Sequence, residues 1–509
     1  MVTRIPKASR NDGPSDPGRT AAQALAGALG LEGERMSKVD TAWLRMDSPV
    51  NLMMIVGVWI LRPGITREAL AQRVQEKLLP YRRFLQTPRQ DATGAHWAED
   101  TGFSLDRHVV THRLERRKGQ SERAALQARA GMLAMVPMNP AHPLWQFELI
   151  EDYDGGSALI ARIHHCIADG IALISVMMSL VDGGNEPPRR KSRPRKAGLE
   201  AAEDWVADTL IRPFGDIAAR ALDAAGGGAA RSLALLASPQ QGLGESLGQA
   251  MDVARLGGQL ASDLAALALM PDDSPTRLKG QPVGEKRVAW CEPIPLDEVK
   301  AIGKGLNCSV NDVLLSCVAG AIASYLRRHG EDPAGKEIRA MVPINLRPME
   351  EAWKLGNRFG LIPLVLPIGI DNPIERVYAV RSRMGALKGS LQPLLTFGLL
   401  SVAGLLVKPA QDAMLSLFGR KTTAVMTNVP GPGEKLKFCG ATLEQSMFWV
   451  PQTGTVGLGV SILSYGGGVQ FGVIADSALC PDPQQIIDAF EPEFAQLLAV
   501  TLMLPWGEG

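Results

Sequence analysis

The hydrophobic pattern along this 509-residue chain switches between runs that suit buried strands and runs that suit amphipathic helices. Asn51 to Leu61 is almost continuously apolar and predicts a strand, and Thr66 to Leu79 then repeats at helical spacing behind a capping threonine. Ser121 to Met135 predicts a helix that stops before Pro137 and Pro140. Trp145 to Glu151 and Ala158 to Ile163 predict two strands joined by a turn at Asp154-Gly155-Gly156. A helix follows, with Ile171, Ile174, Met178 and Val181 recurring on one face and Asp169 standing where an N-cap or first-turn acid belongs.

The second half mixes the same two periods. Strands are predicted at Arg287 to Trp290, Leu361 to Ile368 and Thr422 to Met426, and helices at Leu296 to Gly305 and Ser309 to Arg328. Val456 to Ser464 and Val469 to Ala475, joined by Tyr465-Gly466-Gly467-Gly468, predict a hairpin. The chain is too long for one ordinary core. Its pattern predicts a mixed α/β fold of two domains, each a mixed sheet with flanking helices, joined by a helical linker. The expected division is a loose arm over 1–35, a first domain over 36–182, a basic and Ala-rich helical linker over 183–284 and a second domain over 285–509. The linker opens on Pro187 to Lys196, a proline-broken basic run that suits either a solvated connector or anionic lipid heads.

Composition narrows the class. Hydrophobic residues at 46% and charged residues at 21% describe a globular chain, and a net charge of +1 gives no bulk attraction to nucleic acid, so no nucleic-acid partner is expected. The six cysteines stand singly, without a C-x-x-C pair or a disulfide spacing, as in a cytoplasmic protein with reduced thiols. Gly389 to Val407 is free of charge but diluted by Pro393, Gly398, Gly404 and several polar residues. It predicts a buried or substrate-lining helix, or a contact with a membrane surface, rather than a span.

The chemistry centres on Ile163-His164-His165-Cys166-Ile167-Ala168-Asp169-Gly170, between the second strand of the hairpin and the helix after it. Neighbouring side chains on a strand point to opposite faces, so one histidine faces a cavity and the other braces. An imidazole with a pKa near 6.5, on a rigid strand end, suits proton transfer at neutral pH.

His164-His165-Cys166-Ile167-Ala168-Asp169-Gly170 resembles the His-His-x-x-x-Asp-Gly signature of the chloramphenicol-acetyltransferase-like acyltransferases. Four fixed residues at this spacing arise by chance about once per thousand chains of this length. Other stretches are similar to bacterial wax ester synthase/diacylglycerol acyltransferases. They are Met36 to Leu44, Pro143-Leu144-Trp145, Ser309 to Leu315 with Asn311-Asp312, Val342 to Arg347, Gly356 to Gly360, and Thr427 to Pro432. They occur in the order seen in that family, between roughly residues 36 and 480.

That resemblance implies two chloramphenicol-acetyltransferase-like domains and transfer of a long-chain acyl group from acyl-CoA, as co-substrate, to a fatty alcohol or diacylglycerol. No further cofactor or metal is implied. It assigns His165 as general base, without an acyl-enzyme, and makes Asp169 an architectural residue paired with an arginine, for which Arg82 and Arg83 are the candidates. Gly170 is expected to permit a tight turn or a close backbone approach. Asn311, Asp312, Trp145, Thr427 and Asn428 are the candidate substrate-binding residues. Asn311 and Asp312 also suit a helix first turn, and Trp145 also suits a core. Lipid substrates imply a cytoplasmic protein that works peripherally on the inner membrane or on lipid droplets.

Other chemistries draw on the same residues. His164, His165 and Asp169 as metal ligands lack further His or Glu to complete a shell. Cys166 as nucleophile would have its neighbour His165 pointing away from it. Gly244-Glu245-Ser246-Leu247-Gly248 fits G-x-S-x-G but lacks the strand that a nucleophile elbow requires. A lipid-coating protein without catalysis would have His165 as a core residue. A carrier-dependent condensation enzyme shares the histidine signature, yet the chain has no Asp-Ser-Leu carrier site.

Overall fold

The computed structural model describes residues 34–91, 94–184, 270–347, 354–387, 392–404, 406 and 408–504. The expected arm up to residue 33, the basic run after Pro187, the bridging helices up to residue 269 and the G-x-S-x-G stretch lie outside these residues.

The first half runs β1 (Glu34–Arg35), α1 (Lys38–Arg45), β2 (Met54–Arg62), α2 (Arg67–Arg73), β3 (Gln86–Asp91), β4 (Gly94–Glu99), β5 (Val109–Thr111), α3 (Glu122–Leu133), β6 (Trp145–Tyr153), β7 (Gly156–His164) and α4 (Gly170–Leu180). The second half opens with β8 (Lys286–Trp290), β9 (Ile294–Pro295), α5 (Leu296–Gly305), α6 (Val310–Arg328), β10 (Ile338–Asn345) and β11 (Phe359–Leu366). Three helices follow, α7 (Pro373–Leu387), α8 (Gln392–Ala403) and α9 (Lys408–Arg420). It closes with β12 (Ala424–Pro430), β13 (Lys437–Phe438), β14 (Ala441–Trp449), β15 (Leu458–Tyr465), β16 (Gly468–Asp476) and α10 (Gln484–Leu502).

Two mixed sheets carry the fold, beside a small sheet of order β1-β4-β3. One has the order β11-β10-β12-β15-β16-β8, with β9 added on β16, and the other the order β13-β14-β2-β7-β6-β5. Its first two strands come from the second half of the chain, so a cut near residue 285 does not separate the sheets. β2 is antiparallel to β7 on one side and to β14 on the other, with Val58 opposite both Ile160 and Met447. The sequence pattern gave no strand at β14, because a register shift between Leu443 and Gln445 breaks its two-residue period.

The caps predicted at Thr66 and Asp169 form, and Ser37 and Ser121 cap α1 and α3 in the same way. Ser37, Thr66, Ser121 and Asp169 each accept a main-chain N–H three residues on. β7 is buried along most of both faces, which is why Ala158 to Ile163 shows no alternation. Helix α6 alone among the described helices has the length and composition of a membrane span, yet 78% of its most apolar window is buried inside the protein. It forms the centre of the second core, against β10, β12, β15, β16 and α10. The first core joins Trp59, Ile163 and Leu173 to Phe359, Leu400 and Phe438 from the second half. Each fully buried side chain of this kind contributes about 1.5–3 kcal/mol, so the halves are held by a common core.

Candidate active site

His164 and His165 sit where β7 ends. The His164 N–H donates to Leu144 O at 2.9 Å and the His165 N–H to Met53 O at 2.7 Å, so the main chain is gripped from both neighbouring strands. The two rings face opposite ways, as extended backbone requires.

His164 is sealed. Its Nε2 lies 3.3 Å from both carboxylate oxygens of Asp47, and its Nδ1 lies 3.2 Å from the Cys166 main-chain nitrogen. Burial opposes a charge on the ring, but the Cys166 sulfur and the Asp47 carboxylate outweigh it and raise its pKa. Cys166 is buried and lines neither of the two apolar cavities beside the histidines.

His165 is the histidine that lines a cavity. Its ring stacks on Trp43, with centroids 4.1 Å apart and planes 18° apart, and meets Phe359 at 5.6 Å. Burial among these groups outweighs the Asp169 carboxylate and lowers its pKa, so the imidazole is held neutral, the form that accepts a proton. Its Nδ1 is buried without a hydrogen-bond partner.

Asp169 caps α4 through its Oδ1, which accepts the Ala172 N–H at 2.9 Å. The same oxygen accepts from Arg347 Nη1 at 3.1 Å, and Oδ2 accepts the Arg358 N–H at 2.9 Å. Arg347 is therefore the arginine that pairs with Asp169, and the expected Arg82 and Arg83 are not. Arg82 pairs with Glu99, while Arg83 lies over the Trp97 ring and pairs with Glu34 and Gln86. Arg347 is 178 residues from Asp169 along the chain, so no spacing could have found it. Its Nη2 also donates to Gly356 O at 2.7 Å, at a glycine whose φ of 102° disfavours other residues. These bonds fasten Arg347 and Arg358 of the second half to the start of α4.

Gly170 differs from expectation. Its φ is not positive, and a Cβ built on it meets nothing within 4 Å. What its bare Cα provides is space. It borders both apolar cavities, as does Phe448. The first, about 1350 Å³ with its mouth, extends from His165 and Asn428 under α8 and α9 to Phe418 and Thr422. The charge-free stretch of the sequence thus supplies lining residues, among them Thr396, Leu399 and Leu400. The second, about 830 Å³, lies between the β2–β7 face and α4, with Trp59, Ala161, Leu173 and Met177 in its wall.

The candidate binding residues divide. Thr427 and Asn428 line the first cavity. Asn311 touches it indirectly, through Oδ1, which accepts from Asn428 Nδ2 at 2.9 Å. Asp312 does not line it: its carboxylate accepts the Ser309 N–H at 2.8 Å and the Ser309 hydroxyl at 2.7 Å, completing the capping box of α6. Trp145 is a core residue as well, donating from Nε1 to Phe84 O at 2.8 Å and stacking on His108. Sequence reasoning gave no role to Asp40, Trp43, Asp47 or Asn357, and quoted three of them only as parts of matching stretches. Among the described residues, no group of three His, Cys, Asp or Glu is placed to hold a metal ion.

Comparison with known proteins places the chain in a family. A model of the wax ester synthase/diacylglycerol acyltransferase catalytic domain matches residues 36–314, and the C-terminal domain model of the same family matches 355–498. The Mycobacterium tuberculosis protein Tgs1, described as a probable diacylglycerol O-acyltransferase, is 26% identical over 477 residues, 92% of this chain and 96% of its own. The wax ester synthase/diacylglycerol acyltransferase of Marinobacter aquaeolei VT8 superposes with a TM-score of 0.60 at 18% identity, over 92% of this chain and 100% of that one. The first condensation domain of the calcium-dependent antibiotic synthetase has the same fold, with a TM-score of 0.56 at 12% identity over 92% of this chain and 96% of that one.

Proposed function

The chain belongs to the wax ester synthase/diacylglycerol acyltransferase family, and from that premise we propose that it transfers a long-chain acyl group from acyl-CoA to a fatty alcohol or diacylglycerol with His165 as general base. One observation carries this reading: a buried imidazole, held neutral by its surroundings, lines one apolar cavity whose wall residues Gly170 and Phe448 also border a second. A reaction that joins two lipids needs room for two alkyl groups on either side of one proton acceptor.

The steps are direct. The acceptor hydroxyl attacks the thioester carbonyl, a C–O bond forms, and its proton passes to Nε2 of His165. Collapse of the tetrahedral intermediate breaks the C–S bond, and the imidazolium returns the proton to the CoA sulfur. The base contributes about 10²- to 10⁴-fold, and a preorganised oxyanion donor about 10²- to 10³-fold. Of the two lining candidates, the Thr427 hydroxyl donates to Val460 O, whereas Asn428 has a second amide hydrogen beyond the one given to Asn311. Asn428 is therefore the better oxyanion donor. Both acceptor classes dissolve in membranes or droplets, so the enzyme works at such a surface and not by crossing it.

The test is thiol release from palmitoyl-CoA with hexadecanol, and separately with diacylglycerol, for wild type and His165→Ala, with the product identified by mass spectrometry. Ester formed by the wild type and nearly lost in the variant is expected, and the productive acceptor names the activity. No ester from either acceptor, over several chain lengths, overturns the reading.

A further inference from the structure

We propose that Asp40 and Asn357 form a positioning pair for His165, in which Asp40 holds the Asn357 amide and the amide holds the His165 main chain and ring so that Nε2 is presented to substrate. The proposal rests on the reading of His165 as base.

Asp40 Oδ1 accepts two bonds from Asn357, from the main-chain N–H at 2.9 Å and from Nδ2 at 2.7 Å. Nδ2 also donates to the His165 carbonyl oxygen at 2.7 Å, so both amide hydrogens are committed. That fixes the plane of the amide and places its oxygen. Asn357 Oδ1 and His165 Nδ1 are each buried without a partner at hydrogen-bond geometry, and the Asn357 amide acts on the ring as an acceptor beside His165's own carbonyl. A proton on Nδ1 would satisfy both orphaned atoms with a small ring adjustment, and a neutral imidazole protonated at Nδ1 keeps its lone pair on Nε2. Asp40 and Trp43 are three residues apart on α1, hence on one face, so a single helix supplies the carboxylate behind the amide and the indole that stacks on the ring.

Asp40 is an expensive choice for structure alone. It is 6% exposed, and the described residues place no cation at ion-pair distance from it; burial pushes its pKa up to about 6 against the bonds from Asn357 and Ser37 and the more distant Arg83 charge. A carboxylate kept in such surroundings serves a geometry that an apolar residue could not supply.

The experiment measures kcat and KM for acyl transfer by wild type, Asp40→Ala, Asp40→Asn, Asn357→Ala and His165→Ala, with thermal unfolding alongside. Asp40→Ala and Asn357→Ala are expected to lower kcat about 10- to 100-fold, the scale of a misplaced base, with KM within about threefold. Asp40→Asn retains an acceptor oxygen and is expected to recover most of the loss. A second measurement needs neither Asp40 nor Asn357 variant to fold: nitrogen-15 spectra of histidine-labelled wild type, with His165 identified by its absence from a His165→Ala protein whose other histidine signals are unmoved, should show the Nδ1-protonated tautomer. The pairing is overturned if both alanine variants turn over within about twofold of wild type, if the loss is wholly in KM, if Asp40→Asn is as slow as Asp40→Ala, or if His165 carries its proton on Nε2. An inactive wild type would instead sink the acyltransferase reading, and an active wild type with an equally active His165→Ala would sink the role of the base.

Discussion

The two adjacent histidines lie in regions built to opposite ends. His164 is buried against Asp47 of its own half of the chain, which favours its charged form. His165 points toward an apolar cavity shared with the other half, with Trp43 and Phe359 against it and Asn357 on its carbonyl, and its charged form is disfavoured. One residue of chain separates a brace from the proposed base. The difference shows that protonation state here follows from the kind of partner: a carboxylate 117 residues back in the chain favours charge, while an amide and aromatic rings fix direction without it.

The sharpest way to break the comparison is to remove each ring. His165→Ala should lower kcat by about 10²- to 10⁴-fold, the contribution of a positioned base. Because the His165 pKa lies below its ordinary value and activity needs the neutral ring, the acid limb of the wild-type rate profile assigned to this group should fall below pH 6.5. An acid limb at or above pH 6.5 that moves with His165 would show that the ring is not desolvated.

The next test cuts the link between the halves. Arg347→Ala leaves Asp169 buried without its cation and Gly356 O without its donor, and should destabilise the protein by about 3–5 kcal/mol in chemical unfolding. A change under about 1 kcal/mol would mean that the pair is not what fastens the second half to the start of α4.

Gly170→Leu tests the open side. The added side chain meets no atom within 4 Å at its Cβ but enters the space of the cavities that Gly170 borders, so turnover of long-chain substrates should fall about tenfold while short-chain substrates and thermal stability change little. Equal loss for all chain lengths would indicate a backbone role instead.

The smallest effect belongs to the closed side. Asp47→Asn keeps an acceptor for the Met53 N–H but removes the charge facing His164. The His164 pKa is raised by folding, so the stability it confers is present below about pH 6.5 and is lost as pH rises through the folded value. Urea unfolding should therefore show wild type ahead of the variant by about 1 kcal/mol near pH 6, reduced from a buried pair because the Asp47 side chain is 41% exposed. The gap should narrow at higher pH, and a widening gap would contradict a charged His164.

The amino-acid sequence by itself determined the strand–turn–helix that carries His165, the caps of α2 and α4, and the rule that two neighbouring histidines on a strand must part. Those follow from local periodicity and short-range hydrogen bonds, which a chain carries wherever it folds. Only the tertiary structure decided that Arg347 rather than Arg82 or Arg83 meets Asp169, that Trp145 and Asp312 are spent on core and cap, that Gly170 supplies space, and that Asp40 and Asn357 converge on the base. The Asp169–Arg347, Trp145–Phe84 and Asp40–Asn357 contacts join residues far apart in the chain, and β14 enters the first sheet through a register shift that hides its period. A contact across 178 or 317 residues leaves no trace in spacing, because it is set by how two halves close on a common core and not by any segment's own preference.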